Sequence, residues 1–175
     1  MLRSLLPFIT SIILSACNGS AVRNETPPAP NPSSMESQKA IITALDQLEA
    51  LLPTRLGSLT KKTADLPERS AEGGTLEGYF EGTTPVYLHA VFYGESGHAD
   101  EHYYYDDGTL LLIVRSEERV QSSPDTSRQD RYYLDASGAL VLRSGSPEQS
   151  PSDVNGKAKA LRESANEYLS LLGTE

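Results

Sequence analysis

The chain has 175 residues, 38% of them hydrophobic, with a formal net charge of −9 and a single cysteine, Cys17. That length suits one domain. The acidic balance argues against nucleic acid and against an electrostatic membrane patch, and one cysteine rules out an intramolecular disulfide framework. No apolar run reaches the ~20 residues that a membrane-spanning helix needs.

The N-terminus carries Arg3, then the apolar run Leu5 to Leu14, then small residues, the layout of an export signal. Leu14-Ser15-Ala16-Cys17 resembles the lipobox of bacterial lipoproteins at all four positions. The resemblance implies a signal peptide over 1–16, cleavage before Cys17, diacylglycerol on its sulfur and further acylation of the new amine. Several acyl chains anchor stably where one is marginal. Asn18, standing where an aspartate would retain the protein at the inner membrane, implies the outer membrane facing the periplasm, or the cell surface. Residues 17–32 include Pro27, Pro28, Pro30 and Pro32 among small polar residues and read as an extended tether. The remainder, 33–175, reads as a single α+β domain.

Ser33-Ser34-Met35-Glu36 has the form of a capping box. Beyond it Ile41, Leu45, Leu48 and Leu52 recur at helical spacing, with Ile42 and Leu51 widening the stripe. Pro53 is expected to end this helix. Thr54 to Ala71 reads as a connection, and Leu76 to Glu81 as a short first strand.

Tyr87 to Arg115 reads as three antiparallel strands. Val86, Leu88, Ala90 and Phe92 alternate with Tyr87, His89, Val91 and Tyr93, the period of a half-buried strand. If the loop is Glu95-Ser96, Tyr93 pairs with His98, Val91 with Asp100 and His89 with His102; a four-residue loop shifts the partners by two on the same faces, and an odd loop with a bulge flips them. The face bearing Leu88, Ala90, Phe92, Ala99, Tyr103 and Tyr105 is the better core. Asp107-Gly108 signals the next turn. Leu110 to Val114 is apolar on both faces, which places it in the sheet centre. Arg128 to Leu134 and Ala139 to Arg143 form a closing hairpin. A last helix, capped by Ser152 or Asp153, puts Ala158, Leu161, Ala165, Tyr168, Leu169 and Leu172 on one face and ends near Gly173.

The expected architecture is α+β: an antiparallel meander of five to six strands flanked by an N-terminal and a C-terminal helix. In element order alone the helix-then-meander part is similar to cystatin-like or nuclear-transport-factor-like folds, a likeness that carries no function.

Chemistry-bearing residues are few. His89, Asp100 and His102 are the metal candidates: facing imidazoles on paired strands begin ~5 Å apart, within reach of one Zn²⁺. His98 lies four strand residues from His102, about 13 Å, too far to share that ion. A solvent-facing polar strand is the plainer account of the same residues. Gly94-Glu95-Ser96-Gly97 lacks the Gly-x-Ser-x-Gly form of a nucleophile elbow and sits between two strands. Tyr93, Tyr104 and Tyr132 carry polar tips that suit a partly wet contact surface, although core or cross-strand packing is the plainer account of the tyrosines.

The sequence therefore points to a non-enzymatic, lipid-anchored envelope domain. It would attach to the membrane through its N-terminal lipid and bind an envelope protein or component through its sheet, without cofactor and without nucleic acid. Two alternatives stand beside it: a metal-binding lipoprotein using His89 and His102, and an acidic inhibitor of a cationic envelope-attacking enzyme.

Overall fold

The computed structural model describes residues 32–67, 70–95, 97–119, 128–145 and 150–173. Cys17, the export signal and the tether lie outside the described residues, as do the side chains of Ser33 and Ser34 in the expected capping box. Asn31–Glu175 forms one compact unit. No helix among the described residues is long and apolar enough to cross a membrane.

Helix α1, Pro32–Arg55, contains Pro53 rather than ending at it. A proline's φ is helical, and in the last turn its missing N–H removes only one bond. The helix gives way to a single 3₁₀ turn, Leu56–Ser58, and then to the sheet.

Seven antiparallel strands follow in chain order, each paired with the next: β1 Thr60–Asp65, β2 Gly74–Glu81, β3 Thr84–Gly94, β4 Gly97–Asp106, β5 Thr109–Arg119, β6 Arg128–Leu134 and β7 Leu140–Ser144. Helix α2, Pro151–Leu171, closes the fold. The α+β meander with two helices is as expected, but among the described residues it has seven strands rather than five or six. The unforeseen strand is β1, in the segment that reads as a connection. Its sequence, Thr-Lys-Lys-Thr-Ala-Asp, has no apolar alternation because it is an edge strand, held by its backbone ladder to β2 and by Lys61 on Glu77 at 2.7 Å.

One helix packs on each face of the sheet. On one side Leu88, Ala90, Tyr103, Ile113 and Tyr132 pack with Ala158, Leu161, Ala165 and Tyr168 of α2. On the other Tyr87, Tyr104, Leu112, Val114 and Tyr133 pack with Leu45 and Leu52 of α1. Leu112 and Ile113, neighbours in sequence, are both fully buried in opposite cores. Burial of each contributes about 1.5–3 kcal/mol. Ser150, rather than the expected Ser152 or Asp153, caps α2 by accepting from the Asp153 N–H, with Pro151 in the first turn.

The register of the β3–β4 hairpin is the expected one: Tyr93 pairs with His98, Val91 with Asp100 and His89 with His102. Gly97 is required here. Its φ is 145°, and a Cβ would lie 1.9 Å from the Glu118 carbonyl oxygen. The Asp107-Gly108 turn has positive φ at both residues, 47° and 76°, as a type I′ turn requires. One face assignment fails. Tyr79 pairs with Tyr87 and Phe80 with Pro85, which makes Val86 the extra residue of a bulge. Val86 thus joins Tyr87 in the α1 core instead of Leu88 in the α2 core. Similar shifts leave Leu111 and Val141 without partners near the starts of β5 and β7. Bulges of this kind bend a strand and increase its twist.

Candidate functional site

The α1 face of the sheet is arranged in rows that run across the strands. One row, Tyr79, Tyr87, Tyr104, Leu112 and Tyr133, lies in the α1 core or packed against it. The next is Glu77, His89, His102, Val114 and Arg131; the one beyond it is Thr75, Val91, Asp100, Ser116 and Gln129. Of these two rows only Val114 belongs to the α1 core. Among the described residues, α1 covers the apolar half-face and no helix covers the polar half-face, called here the open half.

Asp46 and Glu49 of α1 mark the boundary. Arg131 donates from Nη2 to Asp46 Oδ1 at 2.9 Å and from Nη1 to Glu49 Oε1 at 3.3 Å, while its Nε donates to Tyr133 Oη at 3.0 Å. Tyr104 donates to the same Glu49 oxygen at 3.4 Å.

All three histidines stand on the open half, and each is engaged. His89 Nε2 is 3.0 Å from Asp100 Oδ1. His98 Nε2 lies 3.1 Å from the other Asp100 oxygen and 3.5 Å from Glu118 Oε2. His102 Nδ1 is 2.6 Å from Tyr87 Oη. The rings of His89 and His102 stack, with centroids 4.5 Å apart and planes 8° from parallel. Burial, reinforced by neighbouring His89, lowers the His102 pKa below the usual imidazole value, with Asp100 and Glu49 pulling the other way. Burial raises the Tyr87 phenol well above its ordinary value. At neutral pH the pair is then a phenol O–H donating to a neutral imidazole, with the ring proton on Nε2.

The metal candidates are brought together: one ligand atom from each of His89, Asp100 and His102 lies within 4.8 Å of the others. Their directions do not converge, however. An imidazole coordinates through a lone pair in its ring plane, and two stacked, nearly parallel planes share no point at bonding distance. His89 Nε2 is already held by Asp100, and His102 Nδ1 by Tyr87. Chelation would require at least one ring to turn out of the stack.

Of the three tyrosines proposed for contact, only Tyr93 is exposed, at 43%. Tyr104 is buried in the α1 core and Tyr132 in the α2 core, so neither forms part of a surface. Register explains both: Tyr104 lies opposite Leu112, and Tyr132 opposite Ile113.

Sequence reasoning missed the ion-paired residues. Glu101 and Asp130 are buried, and Arg115 Nη1 donates to Glu101 Oε1 at 2.9 Å. A signal was present: Glu101 is in phase with Ala99 and Tyr103, a charged residue on what reads as the core face. Comparison with known family models, with curated proteins and with solved structures finds no match for this chain.

Proposed function

We propose that the chain is a lipid-anchored, non-enzymatic envelope domain that holds a protein partner against the open half of its sheet, with Tyr93, His98 and Asp100 at the contact. The observation that carries this reading is the division of one sheet face: α1 buries its apolar half, and the other half presents an exposed tyrosine beside a lattice of histidines and acids. An aromatic anchor with a polar surround is the usual composition of a contact centre. The envelope address rests on the lipobox. Glu77, Asp100 and Glu118 on this half, with a net charge of −9, favour a partner with a basic contact face.

Affinity capture from envelope extract tests the reading. A partner retained by the wild type should be lost from Tyr93→Asp and retained by Lys159→Asp on α2. Equal retention by both variants would refute it. The metal-binding alternative keeps one observation in its favour, the proximity of the His89, Asp100 and His102 ligand atoms.

A further inference from the structure

Helix α1 carries two apolar stripes. Leu45 and Leu52 are buried against the sheet, while Ile41, Ala44, Leu48 and Leu51 recur three and four residues apart and so line a second side of the same helix. The second stripe walls a groove of about 510 Å³, with Leu111 of β5 and Ala136 of the β6–β7 turn on its other side. Four large apolar side chains are exposed among the described residues, and two of them, Leu51 at 59% and Ile41 at 36%, stand here. Asp106 and Asp135 border the groove, and among the described residues no basic side chain lines it. Asp46 and Glu49, which bond Arg131 beside the open half, project from the other flank of α1.

Exposed apolar surface of this kind marks a contact, and the layout of the stripe selects the occupant. The stripe is symmetric about position 46: Ile41 and Leu51 lie five residues to either side of it, Ala44 and Leu48 two. A second α1 laid antiparallel on the first, with a two-fold axis at that level, sets Ile41 against Leu51 of the other copy and the small Ala44 against the large Leu48. Each contact then recurs on both sides of the axis, as a self-complementary interface requires. Gln47 meets its own counterpart beside the axis, and a glutamine amide has both donors and an acceptor, so the two can bond reciprocally.

The charges agree. Arg55 continues the stripe one turn beyond Leu51 and shares a hollow with Asp106, which places Asp106 at the C-terminal end of α1 and Asp135 toward the other. Antiparallel pairing carries Arg55 of each copy toward the Asp135 end of its neighbour's groove, opposite charge to opposite charge. The exposed bond of Arg55 to Glu81 uses one guanidinium nitrogen, Nη2. A parallel pair would set Arg55 against Arg55 and Ala44 against Ala44, repelling at one end and leaving a gap in the middle. A bilayer is the poorer occupant, because helices that lie on one carry lysine and arginine beside the apolar stripe, where this groove has aspartates. We infer that α1 is a self-association surface, through which two copies of the chain pair antiparallel along Ile41, Ala44, Leu48 and Leu51. The inference stands apart from partner binding on the open half, which lies beyond the other flank of the helix.

The test is crosslinking of the full-length protein in cells with a short bis-maleimide. Wild type, whose one cysteine is Cys17, gives the background. Gln47→Cys should yield a product of twice the chain mass above that background, and adding Leu51→Glu should abolish it; Leu51 is exposed, so the fold survives the change. Lys39→Cys, at an exposed position on the side of α1 away from the groove, should give background only. So should Ile41→Cys, because an antiparallel pair separates the two copies of position 41 by roughly ten residues, about 15 Å along the axis. Coexpressed copies carrying Ile41→Cys and Leu51→Cys should crosslink to each other. No product from position 47, equal products from positions 39 and 47, a product of any other mass, or a yield from Ile41→Cys alone that matches position 47 would each overturn the inference.

Discussion

Truncating Leu112 and Ile113 singly and together tests whether this sheet has two independent cores. Both side chains are fully buried; Leu112 lies with Tyr104 and Tyr133 under α1, and Ile113 with Tyr103 and Tyr132 under α2. Leu→Ala and Ile→Ala in a packed core cost about 2–5 kcal/mol, the transfer of the lost methyl groups plus the cavity left behind. Against a total stability of about 5–15 kcal/mol, each single variant should fold but melt clearly lower. Because the two side chains point to opposite faces and share no packing partner, their costs should add to within about 0.5 kcal/mol. Urea denaturation of Leu112→Ala, Ile113→Ala and the double variant measures all three terms. A cost below about 1 kcal/mol for either single variant would show that its face is not packed, and strong non-additivity would show that the two cores are not separate.

Three further outcomes follow from the same structure. Cys17→Ser should abolish lipid labelling and leave uncleaved precursor or released protein; membrane fractionation with unchanged mass would exclude lipidation. The lowered pKa of His102 means that its neutral form stabilises the fold above the unfolded value of about 6.5, and that this contribution is lost as pH falls through the lower folded value. Melting temperature should therefore fall less steeply below pH ~6.5 in His102→Gln than in the wild type, and parallel pH profiles would contradict the assignment. Because the His89 and His102 rings are stacked rather than convergent, calorimetry at neutral pH should show no Zn²⁺ affinity tighter than micromolar. Stoichiometric sub-micromolar binding, lost in His89→Ala and His102→Ala, would promote the metal reading instead.

Much of this fold was legible because local rules fixed it. A two-residue loop and a period of two determine the partners of His89, Val91 and Tyr93 together, so the register of the central hairpin follows from Gly94 and Gly97. The apolar run Leu110 to Val114 marked a strand covered on both faces, and the helical stripe from Ala158 to Leu172 marked α2. What escaped depends on contacts distant in sequence. Strand β1 carries no pattern of its own because an edge strand needs none once β2 supplies the ladder. The Val86 bulge reflects how Phe80 meets Pro85 across the pair, which no periodicity within β3 reveals.

The site was legible as a set of residues and not as an arrangement. Parity placed His89, Asp100 and His102 on one face, but the stack of the two imidazoles depends on the bond from Tyr87 to His102 and on Asp100 holding His89. The tyrosines mislead for the same reason. Tyr104 and Tyr132 carry the polar tip that Tyr93 carries, and only the two helices lying over them separate core from surface.

Site-specific photocrosslinking in cells tests the central claim most directly. A photoreactive phenylalanine analogue replaces Tyr93 on the open half of the sheet in one strain and Lys159 on the outer side of α2 in another. The account predicts a crosslinked species of defined mass from position 93, absent from position 159 and lost when His98→Glu is added. Crosslinks of the same mass and yield from both positions, or none from position 93, would contradict it.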